Sequence, residues 1–360
     1  MDLIKKTVKK IKNPDKKMFD AAKEKLRQQA RPAGSLGILE DIGARLASIF
    51  GTFDVRLSKK RVVVCAGDHG ICAEGVSLFP SDVTASMVYN FVDGGASINV
   101  IARHAGAVVK VADLGVDWNF EPALPIFHKK IKRGTLNFAH GPAMTRGDAQ
   151  NSIEAGIEIV EEMFQKERIH LLGTGDMGIG NTTPSTAIIA VYSGHSVSEL
   201  TGRGTGINDE TLKRKIDAIE KGLAVNNPDP DDPIDVLAKV GGFEIGGLAG
   251  LVLGAAARGI PVVCDGLIST AGALLASKIA PLAGKYLFAG HNSVEAGHHF
   301  MLKHLNLDPL LDLKLRLGEG TGAALAMELI DAATRILFEI KKFEEVAIKD
   351  VQNSRQAVLK

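Results

Sequence analysis

Short apolar runs recur along the chain, and each ends in glycine or alanine beside an acidic or polar residue. Val62-Val63-Val64-Cys65 precedes Ala66-Gly67-Asp68-His69-Gly70, and Val108-Val109-Lys110-Val111 precedes Ala112-Asp113. Ile169-His170-Leu171-Leu172 leads into Gly173-Thr174-Gly175-Asp176, Pro261-Val262-Val263-Cys264 into Asp265-Gly266, and Tyr286-Leu287-Phe288 into Ala289-Gly290-His291. Runs of this length and β-branched content predict strands. Between them apolar residues return at helical spacing. Ile153, Ile157, Val160 and Phe164 share one face, and Leu212, Ile216, Ile219 and Leu223 share another. Strand, loop and helix in repetition predict an α/β fold, a mostly parallel sheet with helices on both faces. In such a sheet ligands bind where strands end and helices begin. One active site built from several of these loops is therefore expected.

Outside this region the pattern is helical. Asn13-Pro14-Asp15 opens a segment that is expected to run to Arg31-Pro32, where proline stops it. A loop from Arg31 to Gly37 follows, then an amphipathic stretch to Phe50. The expected organisation is a large α/β substrate-binding domain over 60–324, with 1–59 and 325–360 forming a small helical domain. Asn227 to Pro233, rich in Asp and Pro, reads as a surface loop.

Composition narrows the function. Among 360 residues, 43 Lys and Arg balance 42 Asp and Glu, so neither a nucleic-acid nor a membrane surface is indicated. The basic run Lys5, Lys6, Lys9, Lys10, Lys12 reads as a solvated helix face. Aromatics make up 5%, too few for base-stacking platforms, whereas 39 glycines suit loops that approach a ligand closely. The most apolar stretch, Gly246 to Ala257, is too short to span a bilayer and reads as a buried helix. No apolar block follows the first lysines, so no secretory signal is read there. Cys65, Cys72 and Cys264 show no C-x-x-C pairing, which fits reduced thiols and a cytoplasmic protein.

Several motifs compete. Gly173-x-Gly175-x-x-Gly178 after a strand formally matches a dinucleotide fingerprint, but no acid-ending strand follows about twenty residues on. It remains a candidate phosphate loop. No G-x-x-x-x-G-K-[ST] is present, so a P-loop NTPase is disfavoured, and no G-x-S-x-G elbow supports a serine hydrolase. Asp68-His69, His298-His299 and His304 invite a metal, but their spacing matches no metal motif. Leu315-Arg316-Leu317-Gly318-Glu319-Gly320-Thr321-Gly322 places a lone carboxylate between glycines before the helical face Leu325, Leu329, Ala332, Ile336. That carboxylate has a purely structural alternative, stabilisation by its own helix dipole. Asp176 is a second carboxylate in what reads as an open loop.

Taken in order, these segments resemble the nicotinate-nucleotide:dimethylbenzimidazole phosphoribosyltransferase family. The matching stretches are Pro32 to Gly37, Ala66 to Gly70, Glu74 to Ser77, Gly175 to Thr183, Gly241 to Glu244, Asp265-Gly266 and Arg316 to Gly322. They run from about Arg31 to about Ala326, most of the chain. The resemblance implies a Rossmann-like core, a small helical domain from both termini, a homodimer, and neither metal nor redox cofactor. It places Glu319 as catalytic base, with Asp176 as an accessory where the enteric form has glutamate. Gly178, Lys215 and Ser293 fall on phosphate-holding positions. Phe79, Met87 and Met177 fall on the wall for the benzimidazole. Asp265, Gly266 and Arg316 belong to the matching substrate-site segments.

The implied reaction moves phosphoribosyl from nicotinate mononucleotide to a benzimidazole-type base, a step in assembling the lower ligand of cobalamin. The nicotinate nitrogen loses its positive charge on leaving and needs no proton. The attacking ring N–H must lose one, which a single carboxylate can accept. Two other classes remain open at this point, a nicotinamide-dependent oxidoreductase resting on the glycine motif and a non-catalytic nucleotide-binding protein. Without the resemblance, Phe79, Met87 and Met177 would read as ordinary core.

Overall fold

The computed structural model describes residues 3–204 and 206–346. Its sheet has seven strands, all parallel: β1 Lys60–Gly67, β2 Ala107–Gly115, β3 Phe127–His128, β4 Leu171–Met177, β5 Val262–Cys264, β6 Leu287–His291 and β7 Pro309–Leu311. Their order across the sheet is β3-β2-β1-β4-β5-β6-β7. The order reverses between β1 and β4, which opens a crevice at the carboxyl ends of those strands. The expected Rossmann-like α/β class is observed.

Pairing on both sides extends β1 beyond its apolar run, and all eight of its residues are buried. β4 differs from expectation in a more telling way. Gly173, Gly175 and Asp176 lie within the strand, not in a loop after it. The two edge strands escaped the sequence reading because each makes only two ladder partners.

The helix Phe243–Ala257 is buried over nearly its whole length, as its apolar run predicts. It packs closely on the helix Arg146–Lys166. A β-carbon at Gly250 would overlap the Ile153 carbonyl oxygen, and one at Gly156 the Gly247 carbonyl oxygen. Glycine is needed here to let two helix backbones touch.

Contacts divide the described residues into two units, one of 3–13 with Leu57–Glu328, the other of Pro14–Arg56 with 329–346. Of the residues expected in the smaller domain, 3–13 group with the larger unit. The Leu3 N–H donates to Glu154 Oε1 at 2.8 Å, and the Tyr286 hydroxyl donates to the Lys12 carbonyl at 2.9 Å. The smaller unit is helical. Asp15 caps the helix Lys16–Arg27 by accepting from Lys17 and Met18 N–H. That helix ends at Arg27, ahead of the proline expected to stop it, and the helix Ile38–Phe50 follows. Arg31 Nη1 donates to Glu40 Oε1 at 2.6 Å, both side chains nearly buried. No helix among the described residues is long and apolar enough to cross a membrane.

Candidate active site

A cavity of about 290 Å³ lies among the segments that follow β1, β4, β5 and β6. Ten of the eleven residues expected at the site line it: Phe79, Met87, Asp176, Met177, Gly178, Lys215, Gly266, Ser293, Arg316 and Glu319. Asp265 does not. Its Oδ2 accepts from Gly320 N–H at 3.1 Å, and its Oδ1 from Gly322 and Ala323 N–H at 2.7 and 3.1 Å. It satisfies the free donors at the start of the helix Thr321–Glu339 and fixes the Glu319 segment from behind.

Glu319 is buried, with φ +64°, a left-handed conformation rare for a residue with a side chain. It precedes its own helix, whose capping Asp265 supplies. Its Oε2 instead accepts from the Ile98 N–H at 3.2 Å, in the first turn of the helix Ser97–His104. Burial raises the carboxyl above the usual glutamate value, the Ile98 bond opposes this, and repulsion from Asp265 adds to it. The helix-dipole alternative thus takes an unexpected form, since the dipole at hand is another helix's. Gly175 explains the close approach: a β-carbon there would overlap the Glu319 carbonyl oxygen. The middle glycine of the apparent dinucleotide motif therefore seats the Glu319 segment on β4, while Gly178 lies against the Gly67 carbonyl instead.

Asp176, expected in an open loop, is buried at the end of β4. Its Oδ2 accepts from Asn181 Nδ2 at 2.9 Å, while Oδ1 lacks a hydrogen-bond partner. Burial first, then repulsion from Asp265, push its carboxyl up to about 8, so it carries a proton at neutral pH. A carboxylic acid beside a raised carboxylate offers one donor and one acceptor in the same cavity.

Lys215 is 1% exposed, far from a solvated helix lysine. From the helix Asp209–Asn226 its Nζ donates to Thr182 Oγ1 at 2.7 Å and the Gly202 carbonyl at 3.2 Å. Burial lowers it to about 8, and the nearby Glu295 carboxylate works against that fall. Ser293 is buried two residues before Glu295, and Gly266 occupies the N-cap position of the helix Leu267–Ile279. Arg316 is exposed, its Nη1 3.4 Å from the Gly204 carbonyl. Phe79, 51% exposed, stands at the apolar side with Met87, Met177, Val76, Val83 and Ile179.

A family model described as "Phosphoribosyltransferase" matches residues 11–348. The nicotinate-nucleotide–dimethylbenzimidazole phosphoribosyltransferase of Geotalea uraniireducens is 55% identical over 350 residues, covering 97% of this chain and 99% of the relative. That of Geobacter sulfurreducens is 54% identical over the same coverage. The crystal structure of CobT from Thermus thermophilus superposes with a TM-score of 0.89 at 44% identity, covering 92% of this chain and 99% of that one. The chain belongs to the nicotinate-nucleotide–dimethylbenzimidazole phosphoribosyltransferase family.

Several other residues of the cavity have roles that no sequence motif assigns. Asn181 and Thr182 hold Asp176 and Lys215 in place, and both lay inside a stretch already matched by motif. Glu295 had no signal, because its position depends on the turn after β6, and His291, visible as the polar end of that strand, was given no role. Two other matched stretches meet behind the site. His69 Nε2 lies 2.8 Å from Glu244 Oε1, both fully buried, without the alignment of a regular hydrogen bond. Burial alone would lower the imidazole, but Glu244 and Asp68 bring it above its ordinary value. Among the described residues, no group of three or more His, Cys, Asp or Glu could hold a metal ion.

Proposed function

We propose that this chain transfers the phosphoribosyl group of nicotinate mononucleotide to 5,6-dimethylbenzimidazole or a related base. The products are α-ribazole 5'-phosphate and nicotinate, and the step serves cobalamin lower-ligand assembly. The observation that carries this reading is one cavity lined by a buried carboxylate, an apolar wall and a buried lysine, in a chain of this family. Glu319 takes the ring N–H proton as the base attacks the anomeric carbon. Attack opposite the leaving nicotinate inverts the β-nucleotide to an α-riboside. Lys215, Ser293 and the Gly178 backbone hold the phosphate, so that the anomeric carbon meets the nucleophile in line. Gly266 and Arg316 flank that end.

Phe79, Met87 and Met177 pack on the flat base, since thioethers and rings adapt to an aromatic face. Asp176, protonated at neutral pH, acts as an accessory hydrogen-bond donor and leaves the proton-accepting role to Glu319. Asp265 serves by positioning the Glu319 segment. The working unit is a homodimer in the cytoplasm, with no nucleic-acid or membrane partner. The chemistry calls for neither metal nor redox cofactor, because the leaving nitrogen is neutralised by departure.

The test is incubation with nicotinate mononucleotide and a panel of benzimidazoles, purines and phenols, read by mass spectrometry. Release of nicotinate with an α-linked benzimidazole riboside phosphate, without added metal or reductant, is expected. Nucleotide binding without turnover for any base would mark a binding protein instead. Turnover that vanishes with chelator and returns with a divalent ion would overturn the metal-free chemistry.

A further inference from the structure

We propose that His298, backed by Thr270, is a positioning residue that sets Ser293 so that its hydroxyl donates to the nucleotide phosphate. The proposal rests on the reading of Ser293 as a phosphate contact. His298 lies on the helix Ala296–Leu305, is completely buried, and is not among the residues lining the cavity. It therefore acts through Ser293 rather than on the nucleotide.

The Ser293 backbone N–H donates to His298 Nδ1 at 3.1 Å. A backbone N–H can only donate, so Nδ1 carries a lone pair. The other ring nitrogen, Nε2, lies 3.0 Å from Thr270 Oγ1. A neutral imidazole with a bare Nδ1 holds its proton on Nε2, so Nε2–H donates and the Thr270 hydroxyl accepts. Thr270 is fully buried on the helix Leu267–Ile279. Burial, with His291 and His299 adding to it, pushes His298 down to about 3, so the ring stays neutral and keeps one tautomer.

The turn around Ser293 is closed by two more bonds. The Glu295 N–H donates to Ser293 Oγ at 3.3 Å, and the His298 N–H donates to the Glu295 carbonyl at 3.0 Å. With the Ser293 N–H committed to His298 and one hydroxyl lone pair committed to Glu295, the hydroxyl hydrogen is left for the cavity. That is the group an incoming phosphate oxygen accepts from. Without the imidazole, the buried Ser293 N–H has no partner, and the turn must move to find one.

Nitrogen NMR of the intact enzyme with labelled histidine tests the tautomer without any substitution. A protonated Nε2 and an unprotonated Nδ1, unchanged from about pH 6 to about pH 9, are expected. A protonated Nδ1 would overturn the proposal. In kinetics, His298→Leu should raise the KM for nicotinate mononucleotide about tenfold or more with little change in kcat. His298→Asn, which can offer an acceptor near the Nδ1 position, should recover most of that loss. His298→Leu added to Ser293→Ala should cost little beyond Ser293→Ala alone. Effects that multiply would mean the two residues act separately and would sink the coupling. A Ser293→Ala enzyme with unchanged nucleotide KM would overturn Ser293 as a phosphate contact. A Ser293→Ala defect with a normal His298→Leu enzyme would overturn the His298 role alone.

Discussion

Glu319 holds a left-handed backbone, which costs roughly 1–3 kcal/mol for a residue with a side chain. Asp265 and the Ile98 N–H offset that cost from two directions. Glu319→Gln keeps an acceptor for Ile98, so its thermal unfolding should match the wild type. Turnover should fall about a hundredfold to ten-thousandfold, the usual worth of a general base. A folded variant with near-normal turnover would remove Glu319 as the base. Because the carboxyl sits above its usual value, turnover should rise with pH through that raised value. Asp176 carries a sharper pH signature. Its folded value is about 8, against the ordinary aspartate range when unfolded. Between those values the folded protein keeps a proton that the unfolded chain has released, so stability falls as pH rises. Asp176→Asn should therefore show a flatter fall in melting temperature over that window; parallel curves would refute the burial argument. Lys215 adds an alkaline limit to binding. Its charge is present below about pH 8 and lost above it, so nucleotide affinity should drop through that range. Calorimetry at several pH values checks this, and Lys215→Ala should bind weakly throughout.

At the scale of elements, glycine content was legible in the sequence but its purpose was not. Gly173-x-Gly175-x-x-Gly178 has the spacing of a phosphate loop, yet the first two glycines are strand residues that clear space for another segment. That space is filled by residues far along the chain, and no local pattern reports it. Gly175→Ala should accordingly cut turnover by displacing Glu319, with unfolding less affected than activity. Gly250→Ala should do the reverse. Alanine favours a helix over glycine by about 1 kcal/mol, but its β-carbon would overlap the Ile153 carbonyl oxygen. Overpacking of this kind costs about 1–3 kcal/mol, and a backbone obstacle cannot rotate away, so packing should win. Urea unfolding of Gly250→Ala should show a lowered midpoint; a raised one would mean the helices separate freely. The long strands and the amphipathic helices were legible because each carries its own period. The edge strands β3 and β7 were not, since two ladder partners impose no pattern.

For the whole molecule, alternation of strand and helix indicated a parallel sheet, but not the order of strands that opens the crevice between β1 and β4. Ten cavity residues could be named because ordered family motifs stand in for that missing topology. Asp265 illustrates the remainder: its motif was visible, but its bonds to the Gly320–Ala323 backbone depend on how β5 meets a distant helix start. Association is the last property the chain alone leaves to measurement. Phe79 and Leu317 line the cavity yet are 51% and 56% exposed, and Leu313, close to Leu317 in sequence, is 53% exposed. Large apolar side chains left exposed beside a cavity mark a surface that gains from being covered. A second copy of the chain is the simplest cover, because closed twofold pairs are the commonest assembly. Sedimentation should therefore give twice the chain mass. Leu313→Glu, which lies outside the cavity lining, should shift the protein toward monomer and weaken turnover at low concentration, with activity recovering as concentration rises. A wild-type monomer with full turnover would show that one chain completes its own site.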